Sequence, residues 1–312
     1  MTLVGASPVV DALTAEVVDY AGLFPPAALD MATAVRRYAA YLASDERALL
    51  GRFVVPVARL EEFEHELEAA TRALHTEPRT DIGARTWRLA ALAGDDPLAD
   101  SRRIAAFNAA QRAVRGGHAL IDTVETRAAR TDDVVTAAAL AHGGQVVFVE
   151  VPSTGELDPL LPAVARYGLG AKVRTGGVTP DAIPPAASVA RFLVAASCAH
   201  VPCKATAGLH HAFRGRYPLT YATDSPQAIM HGFVNVLLAA ALVHGGGQER
   251  EAVMLLDEMD PSAFEFDATE VRWRQHRIAA AQLRVARAEF IRSFGSCSFD
   301  EPVETLRARQ LL

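Results

Sequence analysis

Short β-rich runs alternate with longer runs of helical period through most of this 312-residue chain, and that alternation constrains the fold more than any other feature. Runs rich in Val, Ile, Phe and Thr begin at Arg52, Trp87, Ala119, Val146, Ala171 and Pro202, about thirty residues apart. Such an interval suits one crossover helix between two parallel strands. Repeated along the chain, it predicts an α/β fold, a (β/α)8 TIM-type barrel.

Eight strands are expected: Val17–Phe24, Arg52–Val57, Trp87–Leu92, Ala119–Glu125, Val146–Val151, Ala171–Thr175, Pro202–Thr206 and Phe294–Phe299. Helices fit between them, among them Ala32–Ala43, Leu60–Leu74, Pro97–Val114, Asp132–Ala141 and Ala187–Ala199. Residues 1–312 read as a single barrel domain, with 209–292 an elaborated helical connection before the last strand. Within that connection we expect an apolar helix Gln227–Val243 and an Arg-rich helix Glu270–Ile291, with Phe264–Phe266 as an alternative strand. Its aromatic residues Phe213, Tyr217 and Tyr221 follow the seventh strand closely and are expected to cover the site.

Composition narrows the class. Half the residues are apolar, 22% are charged and the net charge is -6, which fits a globular protein and predicts no nucleic-acid partner. The longest apolar run, Phe233–Val243, is too short to cross a bilayer, and the N-terminus lacks the basic-then-apolar layout of a secretory signal. A cytoplasmic location without a membrane partner is therefore expected. Cys198, Cys203 and Cys297 have no C-x-x-C spacing and read as reduced thiols.

Of 31 basic residues all but two are arginine, the exceptions being Lys172 and Lys204. Lysine can become a neutral nucleophile whereas arginine stays protonated, so chemistry that needs a free amine requires lysine. Both lysines fall on expected strands whose C-terminal ends form the working face of such barrels. Lys172 and Arg174 are two apart, and so are Lys204 and Thr206, which puts each pair on one face of its strand. Neighbouring strands lie roughly 4.8 Å apart, so the two ammonium groups are expected to repel and to pull one amine below the ordinary lysine range. Such an amine can attack a carbonyl.

Lys172-x-x-Thr175-Gly176 on strand six, Lys204-Ala205-x-x-Gly208 on strand seven and Phe294-Gly295-Ser296-Cys297-Ser298 near the end resemble the class I, Schiff-base aldolases of the deoxyribose-phosphate aldolase type. The resemblance implies a carbon–carbon lyase in which Lys172 forms an imine with a small carbonyl substrate and Lys204 lowers its pKa, with no cofactor. The chain departs from that family at Arg174, at Ala207-Gly208-Leu209-His210-His211 in place of a Gly-Gly phosphate loop, and in the length of the last connection. Those departures leave the substrate, and its phosphorylation, open.

Other candidates surround the lysines. Glu125 and Glu150 end strands four and five, where each can move a proton or pair with Arg127, Arg174 or a lysine. Asp122 is of opposite facing to Glu125. His210 can act as acid or base, and Thr175, Thr206, His211, Gly295, Ser296, Ser298 and Tyr20 are candidate substrate contacts. His210 or His211 with Glu150 and His231 would make a metal site, although no H-x-H or H-x-x-x-H spacing supports one. A non-covalent isomerase or lyase, metal-assisted in one version, and a barrel that only binds an anionic metabolite are the alternatives. The Gln227–Val243 helix is either a homo-oligomer interface or a cover on the barrel.

Overall fold

Eight parallel strands close into a barrel in the computed structural model, which describes residues 7–75, 86–113, 118–141, 143–153, 157 and 159–312. In chain order they are β1 (Val18–Tyr20), β2 (Leu50–Pro56), β3 (Trp87–Leu92), β4 (Ala119–Arg127), β5 (Val146–Val151), β6 (Gly170–Arg174), β7 (Cys203–Thr206) and, closing the ring against β1, a strand at Ile291–Ser296. The expected bounds of β3 and β5 coincide with those observed. The closing strand lies earlier than expected, since Ile291, Phe294 and Gly295 pair with β7 and Phe299 is already beyond it.

Helices alternate with the strands and cover their outer faces. The helix Met31–Ala43 begins at Asp30, whose carboxylate accepts the Thr33 N–H. Its buried face, with Ala34, Val35, Tyr38 and Tyr41, packs toward β1 and β2. The expected helix end at Val114 lies outside the described residues.

The connection before the closing strand is less helical than expected. It opens with an antiparallel hairpin of β8 (Gly215–Pro218) and β9 (Gln227–Met230), so the apolar helix begins only at Phe233 and runs to His244. Residues Phe233–Val243 are all buried. This helix packs among the helices Ala186–Cys198, Glu249–Asp257 and Ala280–Glu289 and leaves no apolar face for a partner copy.

Phe264–Phe266 is a strand, β10, but in a separate antiparallel sheet with β11 (Glu270–Trp273) and β12 (His276–Ala279). The expected helix Glu270–Ile291 is therefore this β11–β12 hairpin followed by a helix at Ala280–Glu289, and the closing strand is β13. No helix among the described residues is long and apolar enough to cross a membrane.

Candidate active site

Strand pairing places the two lysines side by side, because Lys172 on β6 is the register partner of Lys204 on β7 and Glu150 on β5 is the partner of Lys172. Residues at alternate positions on a barrel strand point inward, and Glu125, Glu150, Lys172 and Lys204 all do so. Their ionic contacts form one continuous series. Asp19 Oδ2 lies 2.6 Å from Lys204 Nζ, which lies 2.5 Å from Glu125 Oε1. Glu125 Oε2 then meets Lys172 Nζ at 2.8 Å, Lys172 meets Glu150 Oε2 at 2.9 Å, and Glu150 Oε1 meets Arg174 Nε at 3.2 Å.

Depth varies along this series: the Asp19 side chain is 0% exposed, the Lys172 side chain 4% and the Arg174 side chain 41%. Charges so deep in the protein persist only when paired. Burial alone would raise the Glu125 carboxyl, but Lys172 and Lys204 outweigh it and hold the group well below the usual carboxylate range. The same opposition, with Lys172 and Arg174 dominant, lowers Glu150.

Carboxylates govern the charge of Lys204. Burial disfavours its charge, but Asp19 and Glu125 prevail and hold the ammonium above the ordinary lysine range. Carboxylates separate the two cations, so each lysine meets opposite charge rather than its neighbour. Asp19 is fixed in turn, accepting the Arg52 N–H at 2.7 Å and the Ser293 hydroxyl at 2.6 Å.

A cavity of about 460 Å³ opens at the C-terminal ends of the strands and has Glu125, Glu150 and Lys172 in its lining. That volume suits a small molecule. Lys204 is absent from this lining and borders a second cavity at the opposite end. Of the expected contacts, Arg174, Thr206, Gly295 and His210 border the upper cavity. His210 Nδ1 lies 2.9 Å from Glu301 and 3.5 Å from Ser296 Oγ.

Several expected contacts lie elsewhere. Tyr20 points outward from β1 into a cluster with Tyr38, Tyr41 and Phe53, because its neighbour Asp19 takes the inward position. Thr175 is outside the lining and spends its hydroxyl on the Thr206 and Ala207 carbonyls, tying two loops together. His211 stacks on Tyr217 with ring centroids 3.6 Å apart, and burial lowers its pKa to about 4.

Ser296 Oγ accepts the Ser298 N–H, and Ser298 Oγ accepts the Glu301 N–H. Both serines shape the turn behind the cavity. Asp122 sits on a β-bulge and is gripped by Arg52 and Arg88 toward the other end of the barrel. His231 contacts the Pro184 carbonyl and Arg214, and no His, Cys, Asp and Glu group that could hold a metal occurs among the described residues.

The walls come from two loops. Ala21, Phe24, Pro25 and Pro26 follow β1 and form one side, while Gly176–Thr179 and Ala182 after β6 form another. Gly176 and Gly208 touch across the two loops, since a Cβ on Gly176 would lie 2.9 Å from the Gly208 Cα. Gly208 and its neighbour Ala207 both have left-handed backbone, φ 75° and 64°, a conformation that is strained for alanine.

The expected aromatic cover is absent from the lining. Phe213 packs on Phe264, and Tyr221 hydrogen-bonds Glu301 at 3.0 Å behind the wall. Asp19, Arg127 and Cys297 are the additions that sequence reasoning missed as site residues. Asp19 was visible as a lone acid in an apolar strand, a signal obscured by the polar, proline-rich turn after it. No family model and no curated protein matches the chain.

Proposed function

We propose that this barrel is a carbon–carbon lyase of the aldolase type that holds a small carbonyl substrate as an imine on Lys172. The observation that carries the reading is the place of Lys172 Nζ, in the lining of the upper cavity and within 2.9 Å of both Glu125 and Glu150. An amine and two proton-carrying groups thus meet at one point. The resemblance of the two lysine segments to Schiff-base aldolases points the same way.

The chemistry begins when Lys172 passes a proton to Glu150, the more exposed of its two carboxylates. The freed lone pair adds to the carbonyl carbon as the carbonyl electrons move to oxygen, which takes that proton back. Glu150 then takes a second proton from the nitrogen and delivers it to the hydroxyl, which leaves as water as the nitrogen lone pair forms the iminium. In the cleavage direction a base removes the proton of the hydroxyl two carbons away. The intervening carbon–carbon bond breaks, its electrons flow into the iminium, and an aldehyde and an enamine result. Protonation of the enamine and hydrolysis return the second product and Lys172. Arg174 and Arg127 at the cavity rim suit an anionic substituent on the substrate.

Borohydride reduction with a panel of aldehydes and ketones tests the reading, because only an imine is trapped. Mass spectrometry is expected to place the adduct on Lys172, to find none in Lys172→Arg, and to find a reduced yield in Lys204→Arg. An adduct on Lys204, or none with any carbonyl, overturns it.

The complete ion pairing of both lysines favours one other reading, in which Lys172 stays charged. There Lys172 would donate hydrogen bonds to a carbonyl or enolate oxygen while Glu150 moves the proton on the adjacent carbon. Exchange of that proton in deuterium oxide, without trapping, selects this non-covalent isomerase or lyase.

A further inference from the structure

At the N-terminal end of the barrel a second cavity, of about 590 Å³, reaches inward to Lys204, Thr123, Phe148 and Ser293. This end of such barrels ordinarily serves stability, and part of the cavity does. Arg52 is clamped on Asp122 at 2.5 and 3.1 Å, and Arg88 bridges Asp122 and Glu16. Those two arginines have their counter-charges.

Three others do not. Arg284, Arg287 and Arg292 also line the cavity, and none makes an ion pair among the described residues. Arg287 is held in place by backbone, donating from Nη2 to the Ala15 carbonyl at 2.8 Å and from Nη1 to the Ile291 carbonyl at 2.7 Å. Its Nε is buried with no hydrogen-bond partner. A buried donor left unsatisfied is costly, more so when charged, so this cavity-lining guanidinium is held in place with its hydrogen-bonding capacity incomplete. The remaining carboxylates of the lining are Asp11 and Glu16, of which Glu16 is already on Arg88.

We propose that this lower cavity binds a phosphate-bearing small molecule through Arg284, Arg287 and Arg292. Guanidinium groups match phosphate oxygens in geometry and charge, and the cavity has the volume of a metabolite site. Burial, together with Arg292 and against the attraction of Asp19 and Glu16, lowers Arg287 to about 10. The proposal is independent of the chemistry assigned to the upper cavity.

Calorimetric titration of the full chain with sodium phosphate, at ionic strength held constant with chloride, provides the test. Saturable binding is expected in the unaltered protein. Arg284→Gln and Arg292→Gln, both at exposed positions without ion pairs and therefore expected to fold, should weaken it at least tenfold together. Arg174→Gln, on the opposite face, should leave it within twofold. Glycerol 3-phosphate as a second probe separates the sources: tighter binding than phosphate marks an organic phosphate ester, and equal binding marks the free ion. Lack of saturation with either probe overturns the proposal, as does a loss of binding in Arg174→Gln with retention in the lower-face variant.

Discussion

The two ends of the barrel bore handle charge in opposite ways. Toward the upper cavity Lys172 and Arg174 each have a carboxylate within 3.2 Å, in a series that continues inward through Lys204 to a fully buried aspartate. Toward the lower cavity three arginines have no carboxylate partner among the described residues, and one of them keeps an unsatisfied Nε. Pairing holds side chains in one arrangement, which proton transfer needs, whereas unpaired cations keep their attraction for an incoming anion. On the two proposals made above, the difference would separate a region built to react from one built to receive.

The sharpest way to break that contrast is Lys204→Met. It strands Asp19 beside a carboxylate network with one cation fewer, and loss of one partner from a buried pair is expected to destabilise by about 3–5 kcal/mol. Urea unfolding measures it. A loss below about 1 kcal/mol would mean that the series is not a stability element.

Acid provides the next largest effect. The folded pKa values of Glu125 and Glu150 are depressed by the lysines and Arg174, so their contribution is fully present above the unfolded carboxylate value of about 4.3. It is lost as pH falls below that value toward the folded ones. Melting temperature should therefore fall on acidification below about pH 4 to 5, and Glu125→Gln should flatten the fall. Lys204 has the opposite sign: its folded value is raised, so its contribution holds below about 10.4 and disappears only as pH rises through the folded value.

The smallest expected effect is at Arg292→Gln in the lower cavity. With no ion pair to break, stability should stay within about 0.5 kcal/mol. A loss comparable to that of Lys204→Met would erase the distinction between the two ends.

Much of this arrangement was legible in the sequence because barrel strands impose a strict parity. Lys172 with Arg174, and Lys204 with Thr206, share the inward face as their spacing requires. The same parity defeated the expectation for Tyr20: on a three-residue strand one acid decides which side is inward, and that acid is Asp19. The β11–β12 hairpin was hidden for another reason. Val271, Trp273 and Ile278 are its buried residues, but its turn uses Arg274 at φ 53° where glycine or asparagine is usual, and the many arginines suggested a helix. The upper cavity walls were illegible because loops meet across space, as Gly176 and Gly208 do. The ion pairing of Lys204 was also illegible, because its two carboxylates, Asp19 and Glu125, arrive from two strands far apart in the chain.

The series from Asp19 to Arg174 also sets a charge balance that the proposed reaction would start from. Its three carboxylates and three cations sum to zero, and a proton passed between members leaves that sum unchanged. An uncharged carbonyl compound therefore enters without upsetting the interior. A guest with one negative charge meets Arg127, which borders the cavity with its nearest carboxylate, Glu150, 4.0 Å away, and so has attraction to spare. A second negative charge finds only cations already committed to Glu125 and Glu150. If the upper cavity holds a carbonyl substrate as proposed, this balance would favour guests of zero or one negative charge over dianions.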